Sequence, residues 1–126
     1  MVESLWRETQ PFNIQTLLIE PGRFRTLLLS ENNRKDAAPR IPDYAEAVEK
    51  HYTGLDAESE NQPGEVQKGV SIIVDLVRKE GVAEGRTVPF RFPLGTDCYE
   101  EAKEKLDEMN IVMEEWKTTI LSTDHA

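Results

Sequence analysis

Apolar residues recur along this chain with two periods, and breakers separate the stretches that carry them. In Met1–Thr9, Val2, Leu5 and Trp6 stand three and four residues apart, the spacing of one helical face, and Pro11 stops the pattern. Leu17-Leu18-Ile19 is then a short apolar run ended by Glu20-Pro21-Gly22. A run of that kind predicts a strand buried on both faces, as in a parallel sheet. Phe24–Leu29 begins apolar, whereas Ser30–Pro42 is polar and broken by Pro39 and Pro42. Tyr44, Ala47, Val48 and His51 predict a short amphipathic helix over Asp43–Tyr52, and Thr53–Gln62 reads as acidic and turn-rich.

The second half is more regular. Val66, Val70, Ile73, Val74 and Val77 predict an amphipathic helix with Gly81 as its C-cap, while Glu65 is a poorer N-cap than Asp. Val88, Phe90, Phe92 and Leu94 alternate with Thr87, Pro89, Arg91 and Pro93. That is a strand with one apolar face, confined by its prolines to the edge or end of a sheet. Tyr99, Ala102, Leu106, Met109, Met113, Trp116 and Ile120 follow in alternating steps of three and four, with Glu and Lys on the other face. This stripe predicts a long final helix over Asp97–Leu121, packed on the sheet or on a partner helix. Asp97 and Glu100 have the spacing of a capping box.

Composition narrows the function classes. The 126 residues allow one small domain, and the formal charge of −9 opposes non-specific binding to nucleic acid or anionic membranes. No apolar run approaches membrane-spanning length and no basic-then-apolar leader opens the chain, which points to a cytoplasmic protein. Cys98 is the sole cysteine; its acidic neighbours Asp97 and Glu100 argue against a reactive thiolate. His51 and His125 are isolated, so no metal-ligand cluster is expected. Glu100-Glu101 and Glu114-Glu115 read as solvated helix face.

The order helix, short loop, strand, Pro-Gly-x-x-x-Thr resembles the short-chain dehydrogenase/reductase family, its fungal members in particular. In that family a strand ending in Glu-Pro-Gly and a nearby threonine follow the catalytic Tyr-x-x-x-Lys helix; the matching residues are Glu20, Pro21, Gly22 and Thr26. Gln62-Pro63-Gly64-Glu65, the helix from Val66, Pro89–Gly95 and Ser122-Thr123-Asp124 extend the likeness over nearly the whole chain. The resemblance implies an α/β fold, the C-terminal part of a doubly wound, Rossmann-like parallel sheet with about two strands and three to four helices. It divides one partial domain, 1–126, into a helix, strand and cofactor loop (1–29), a substrate-lid-like loop (30–62) and a helix, edge strand and long helix (63–126). It further implies NAD(P) as cofactor and a carbonyl or alcohol as substrate. Pro21 and Gly22 set the turn, Phe24 offers its backbone N–H to the nicotinamide carboxamide, and Thr26 its hydroxyl. Leu27, Leu28, Ile41 and Tyr44 are the candidates for the substrate lid.

Two parts of that family's machinery are missing from these residues. No Gly-x-x-x-Gly-x-Gly or Gly-x-Gly-x-x-Gly occurs, and no Tyr-x-x-x-Lys precedes the strand. Tyr99-Glu-Glu-Ala-Lys103 fits the latter pattern, but it follows the Pro-Gly strand and Tyr99 falls on the apolar stripe of the last helix. It reads as a coincidence of spacing. The expectation is therefore a truncated member with no catalytic residue of its own, inactive alone and weak in cofactor binding. The alternative is a non-catalytic module that joins another reductase subunit, as a homo- or hetero-oligomer, through its apolar half-domain surface.

Overall fold

The computed structural model describes residues 1–30, 32–35 and 41–124; Pro39 and His125 lie outside them. Helix α1 (Val2–Thr9) ends in a 3-10 turn at Gln10–Phe12, where Pro11 sits at the start and Asn13, at φ 55°, closes it. Of its apolar face Trp6 is half-buried, and its ring lies 4.9 Å from that of Phe90. Strand β1 (Leu18–Pro21) runs parallel to β2 (Arg91–Leu94), in the register Leu18 with Arg91 to Pro21 with Leu94. The two strands form the sheet of the described residues. The α/β class, with two parallel strands, agrees with the sequence.

The burial of β1 does not. Leu18, Ile19 and Glu20 are half-buried and Pro21 is exposed. A parallel strand is buried on both faces when neighbouring strands and two helical layers cover it. Here β1 has one neighbour, so the apolar run at 17–19 keeps part of its surface open. Strand β2 is shorter than the alternation at 87–94 suggested: it begins at Arg91, just after the Phe90 carbonyl accepts from the Leu18 N–H at 2.7 Å.

Helix α2 (Ala45–Glu58) follows a 3-10 turn at Pro42–Tyr44 and continues through the stretch expected to be turn-rich. Gly54 lies inside it; a mid-helix glycine costs about 1 kcal/mol relative to alanine. Leu55, Ala57 and Glu58, all good helix formers, carry it past that point. Glu60, at φ 64°, then turns the chain.

Helix α3 (Val66–Arg78) starts where expected, and Glu65 caps it well. Its carboxylate accepts from the N–H of Gln67 at 2.7 Å and of Lys68 at 3.1 Å. A charged acceptor spanning two orphan amides offsets the lower intrinsic preference for Glu at this position. The C-cap is Lys79, in the left-handed region at φ 59°, two residues ahead of Gly81. Gly81 instead opens a 3-10 turn, Gly81–Ala83, whose Val82 N–H donates to the Asp75 carboxylate at 3.1 Å. The buried residues of α3 are Gly69 and Leu76, whereas Val70, Val74 and Val77 are exposed. Gln67, Lys68, Ser71, Asp75 and Arg78 share its polar face, the amphipathic pattern the sequence predicts, and part of the apolar face stays open.

Helix α4 (Thr96–Glu115) and the short α5 (Lys117–Leu121) replace the single final helix, which makes five α-helices among the described residues. Trp116, at φ −101° and ψ 7°, marks the junction, yet its N–H still reaches the Val112 carbonyl at 3.0 Å. Glycine 95 is the N-cap, with no side-chain cap, so Asp97 and Glu100 do not form a capping box. The α4 stripe is not core: Leu106, Met109, Met113, Trp116 and Ile120 are all at least half exposed. Among the described residues, buried apolar side chains are confined to Leu76, Ala83 and Leu94.

Replacing Glu65 by Ala should destabilise α3 by about 1 kcal/mol, the usual cost of losing a side-chain N-cap. Amide exchange at Gln67 and Lys68 should quicken roughly fivefold, while amides of α4 keep their rates.

Candidate functional site

The carboxyl ends of β1 and β2 meet at Pro21 and Leu94, and the chain leaves β1 through a loop with a specific reason for each residue. Proline 21 has no N–H, so the ladder is carried on by Gly22, whose N–H donates to the Leu94 carbonyl at 2.8 Å. A side chain at Gly22 would collide with the Asp97 carboxylate. That absence lets Asp97 approach the loop, where its Oδ2 accepts from the Arg23 backbone N–H at 2.7 Å and from Arg23 Nε at 3.0 Å. Arg23 Nη1 reaches across to Glu58 Oε1 at 2.8 Å. One arginine thus ties the loop to the first turn of α4 and the last turn of α2. The Arg23 N–H, and the guanidinium beside it, hold the Asp97 carboxyl below its usual value.

Phe24 is set by a short parallel bridge to Gly64. Gly64 N–H donates to the Arg23 carbonyl at 3.0 Å, and Arg25 N–H donates to the Gly64 carbonyl at 2.8 Å. The residue between them turns its own N–H to the opposite side, and Phe24 N–H makes no hydrogen bond with the described residues. The Phe24 ring lies flat against Gly64 and Gly69, neither of which has room for a Cβ. Thr26 is extended and caps the 3-10 turn Leu27–Leu29: its Oγ1 accepts from the Leu28 N–H at 3.3 Å. The hydroxyl proton of Thr26 is left to donate elsewhere.

These residues line one cavity of about 470 Å³. Pro21, Gly22, Phe24 and Thr26 form one wall, α2 contributes Leu55 and Glu58, and α3 contributes Val66, Gly69, Val70 and Ile73. Leu28 of the four lid candidates lines it as well. Leu27, Ile41 and Tyr44 do not, and all four lid candidates are exposed. The opening between loop and helix lies beyond the carboxyl ends of the strands, where α/β sheets bind ligands. Tyr99 and Lys103 belong to α4 and are not among its lining residues.

Arg23, Glu58, Asp97 and the cavity face of α3 escaped the sequence reading. Gly69 was the available signal, since a glycine inside a strongly apolar helix marks a close approach. The Arg23–Asp97 contact spans 74 positions and left no local trace. Cys98 proves structural in position: it is half-buried and its Sγ donates to the Glu20 carbonyl at 3.1 Å. Among the described residues no group of His, Cys, Asp and Glu could hold a metal ion, and no helix is long and apolar enough to cross a membrane.

With this geometry in hand, the chain can be set beside known proteins. It matches a short-chain dehydrogenase from Streptomyces avermitilis, known from its crystal structure, with a TM-score of 0.65 and 28% identity. The match covers 98% of this chain and 41% of that one. The fold is a partial Rossmann-like fold of short-chain dehydrogenase type. No family profile and no curated protein sequence matches the chain. The chain therefore spans well under half the length of the dehydrogenase it is similar to.

Because the folded Asp97 carboxyl ionises below its free value of 3.8, the clamp stabilises fully above that value. That contribution is lost as pH falls through the lower, folded value. Between about pH 5 and about pH 2, wild-type stability should therefore fall more steeply than that of Asp97→Asn, read by urea midpoints at each pH. Gly22→Ala, which displaces the carboxylate, should shift the Arg23 amide resonance upfield and flatten the same pH profile.

Proposed function

We infer that Pro21–Thr26 is the nicotinamide-side loop of an NAD(P)-dependent oxidoreductase site acting on a carbonyl or alcohol. The observation that carries this reading is Phe24: its backbone N–H is turned away from Gly64 and left to donate, at the carboxyl end of a parallel strand. The Thr26 hydroxyl proton stands two residues further on, and both line a mostly apolar cavity whose other polar lining residues are Arg23, Glu58 and Gln62. A carboxamide, with one acceptor oxygen and a flat apolar ring behind it, fits two such donors over an apolar floor. The similarity to a short-chain dehydrogenase supports the same assignment.

The residues fit the nicotinamide end of the cofactor and not the rest. Backbone groups of a Gly-rich turn at a helix N-terminus hold a dinucleotide pyrophosphate, and that turn is missing from these residues. The nicotinamide, when bound, supplies a hydride. What this chain supplies is orientation of the ring by Phe24 and Thr26 and exclusion of water by Phe24, Leu55 and Ile73. Glu58 and Arg23, joined at the rim, hold α2 over the loop as a cover. No proton-transfer pair stands at this cavity, so the 126 residues by themselves are a positioning half-site.

A second reading, a non-catalytic module that joins another subunit, is favoured by one observation, the exposed apolar stripe of α4.

The expressed 126-residue chain should show no reductase turnover with NADH or NADPH. Nicotinamide mononucleotide at millimolar concentration should nonetheless shift the amide resonances of Phe24 and Thr26. Thr26→Val should weaken that binding about fivefold, as expected for one neutral hydrogen bond. Shifts scattered over the surface, or none at Phe24, would sink the assignment.

A further inference from the structure

Gln62 is the one buried polar residue among the described residues, only 4% exposed, and it lines the cavity at the Pro-Gly loop. Its backbone is fixed between α2 and α3. Pro63 follows it, Gly64 bridges to Phe24, and its own carbonyl accepts from Arg25 Nη2 at 3.4 Å. Its side chain has no such anchor. Oε1 is closed off from solvent without a hydrogen-bond partner, and the amide nitrogen donates to no described residue. A buried polar group left unpaired is destabilising, and folded proteins keep few of them. Methionine would fill the same space without that cost.

The rest of the lining narrows what this amide meets. Leu55, Val66, Val70 and Ile73 give the cavity apolar walls. Its two charged residues, Arg23 and Glu58, are paired with each other at 2.8 Å, and Arg23 also holds Asp97. No cation of the lining is left to draw in a carboxylate, and Glu58 repels one. Phe24 N–H and Thr26 Oγ1 are donors for the nicotinamide carboxamide. At about 470 Å³ the cavity has the size of sites that hold drug-sized ligands, so a pyridine ring does not fill it. The Gln62 amide offers a donor and an acceptor about one soft, two-fold torsion. The neutral group that matches either end is a hydroxyl, which both donates and accepts.

We propose that Gln62 sets the substrate class at this cavity: its side-chain amide hydrogen-bonds a neutral hydroxyl on the body of the ligand. The site therefore prefers a hydroxylated ketone or alcohol to an unfunctionalised or an anionic one. The role as substrate site rests on the nicotinamide-side assignment of the loop; the hydroxyl preference rests on Gln62 itself. An analogue without the hydroxyl leaves the buried amide unpaired, which is how a polar residue in an apolar pocket rejects it.

The test uses the 126-residue chain, nicotinamide mononucleotide, and three cyclohexanones that carry a hydroxyl, a methyl or a carboxylate opposite the carbonyl. In one set of spectra the amide resonances of Phe24 and Thr26 report the nucleotide, and the side-chain NH2 resonances of Gln62 report the ketone. The hydroxyl compound should bind about fivefold more tightly than the methyl compound, as one neutral hydrogen bond allows, and the carboxylate should bind least. Gln62→Met should abolish the preference for hydroxyl over methyl. It should also raise the urea midpoint, because an orphaned buried amide is removed; a glutamine kept for structure would lower it. Equal binding of the hydroxyl and methyl ketones, binding of none, tighter binding of the carboxylate, a preference that survives Gln62→Met, or a Gln62→Met chain that is less stable would each overturn the proposal, while shifts at Phe24 leave the nicotinamide assignment standing. A hydroxyl preference lost in Gln62→Met, with no shift at Phe24, would keep Gln62 in its role and sink the nicotinamide assignment instead.

Discussion

The hydrogen bond from the Arg23 backbone N–H to the Asp97 carboxylate is the contact on which the working end of this structure depends. Three conditions meet there. Proline 21 ends β1 without an N–H, so Gly22 must close the ladder on Leu94. Gly22 has no Cβ, so the carboxylate can sit directly over the turn. Arg23 then commits its amide and Nε to Asp97 and leaves Nη1 for Glu58, which draws the end of α2 to the same point. An amide held by a carboxylate is worth more than one held by a neutral acceptor. The exposed ion pair to Glu58 adds little by itself, being open to solvent. Its use is directional: it sets where the helical cover of the cavity ends.

Below this point the structure is thin. Among the described residues, two four-residue strands and three buried apolar side chains make a small core. The exposed valines on the apolar face of α3 and the part-open β1 both suit elements built for a deeper setting. The similar dehydrogenase has more than twice the length that the match covers, and a larger sheet is the setting in which such elements are ordinarily buried. The apolar surface on α3 is thus explained by the fold type.

Much of this was legible in the residues. Local pattern sufficed where each element is periodic by itself: α1, the strand before Pro21, α3 and the long stripe of α4. It failed where a contact between distant positions decided the outcome. Asp97 has the sequence spacing of a capping box, yet Arg23 takes its carboxylate from outside the helix, and Gly95 serves as the uncapped N-cap. Thr53–Glu58 looks like loop because of Gly54 and its acids, but Arg23 and Arg34 meet Glu58 and Asp56 and the helix runs on. Among the site residues, Pro21, Gly22, Phe24, Thr26 and Leu28 line one cavity, while Leu27, Ile41 and Tyr44 do not. Leu55 was unreadable as a lining residue, since a single leucine in an acidic stretch gives no periodicity to follow.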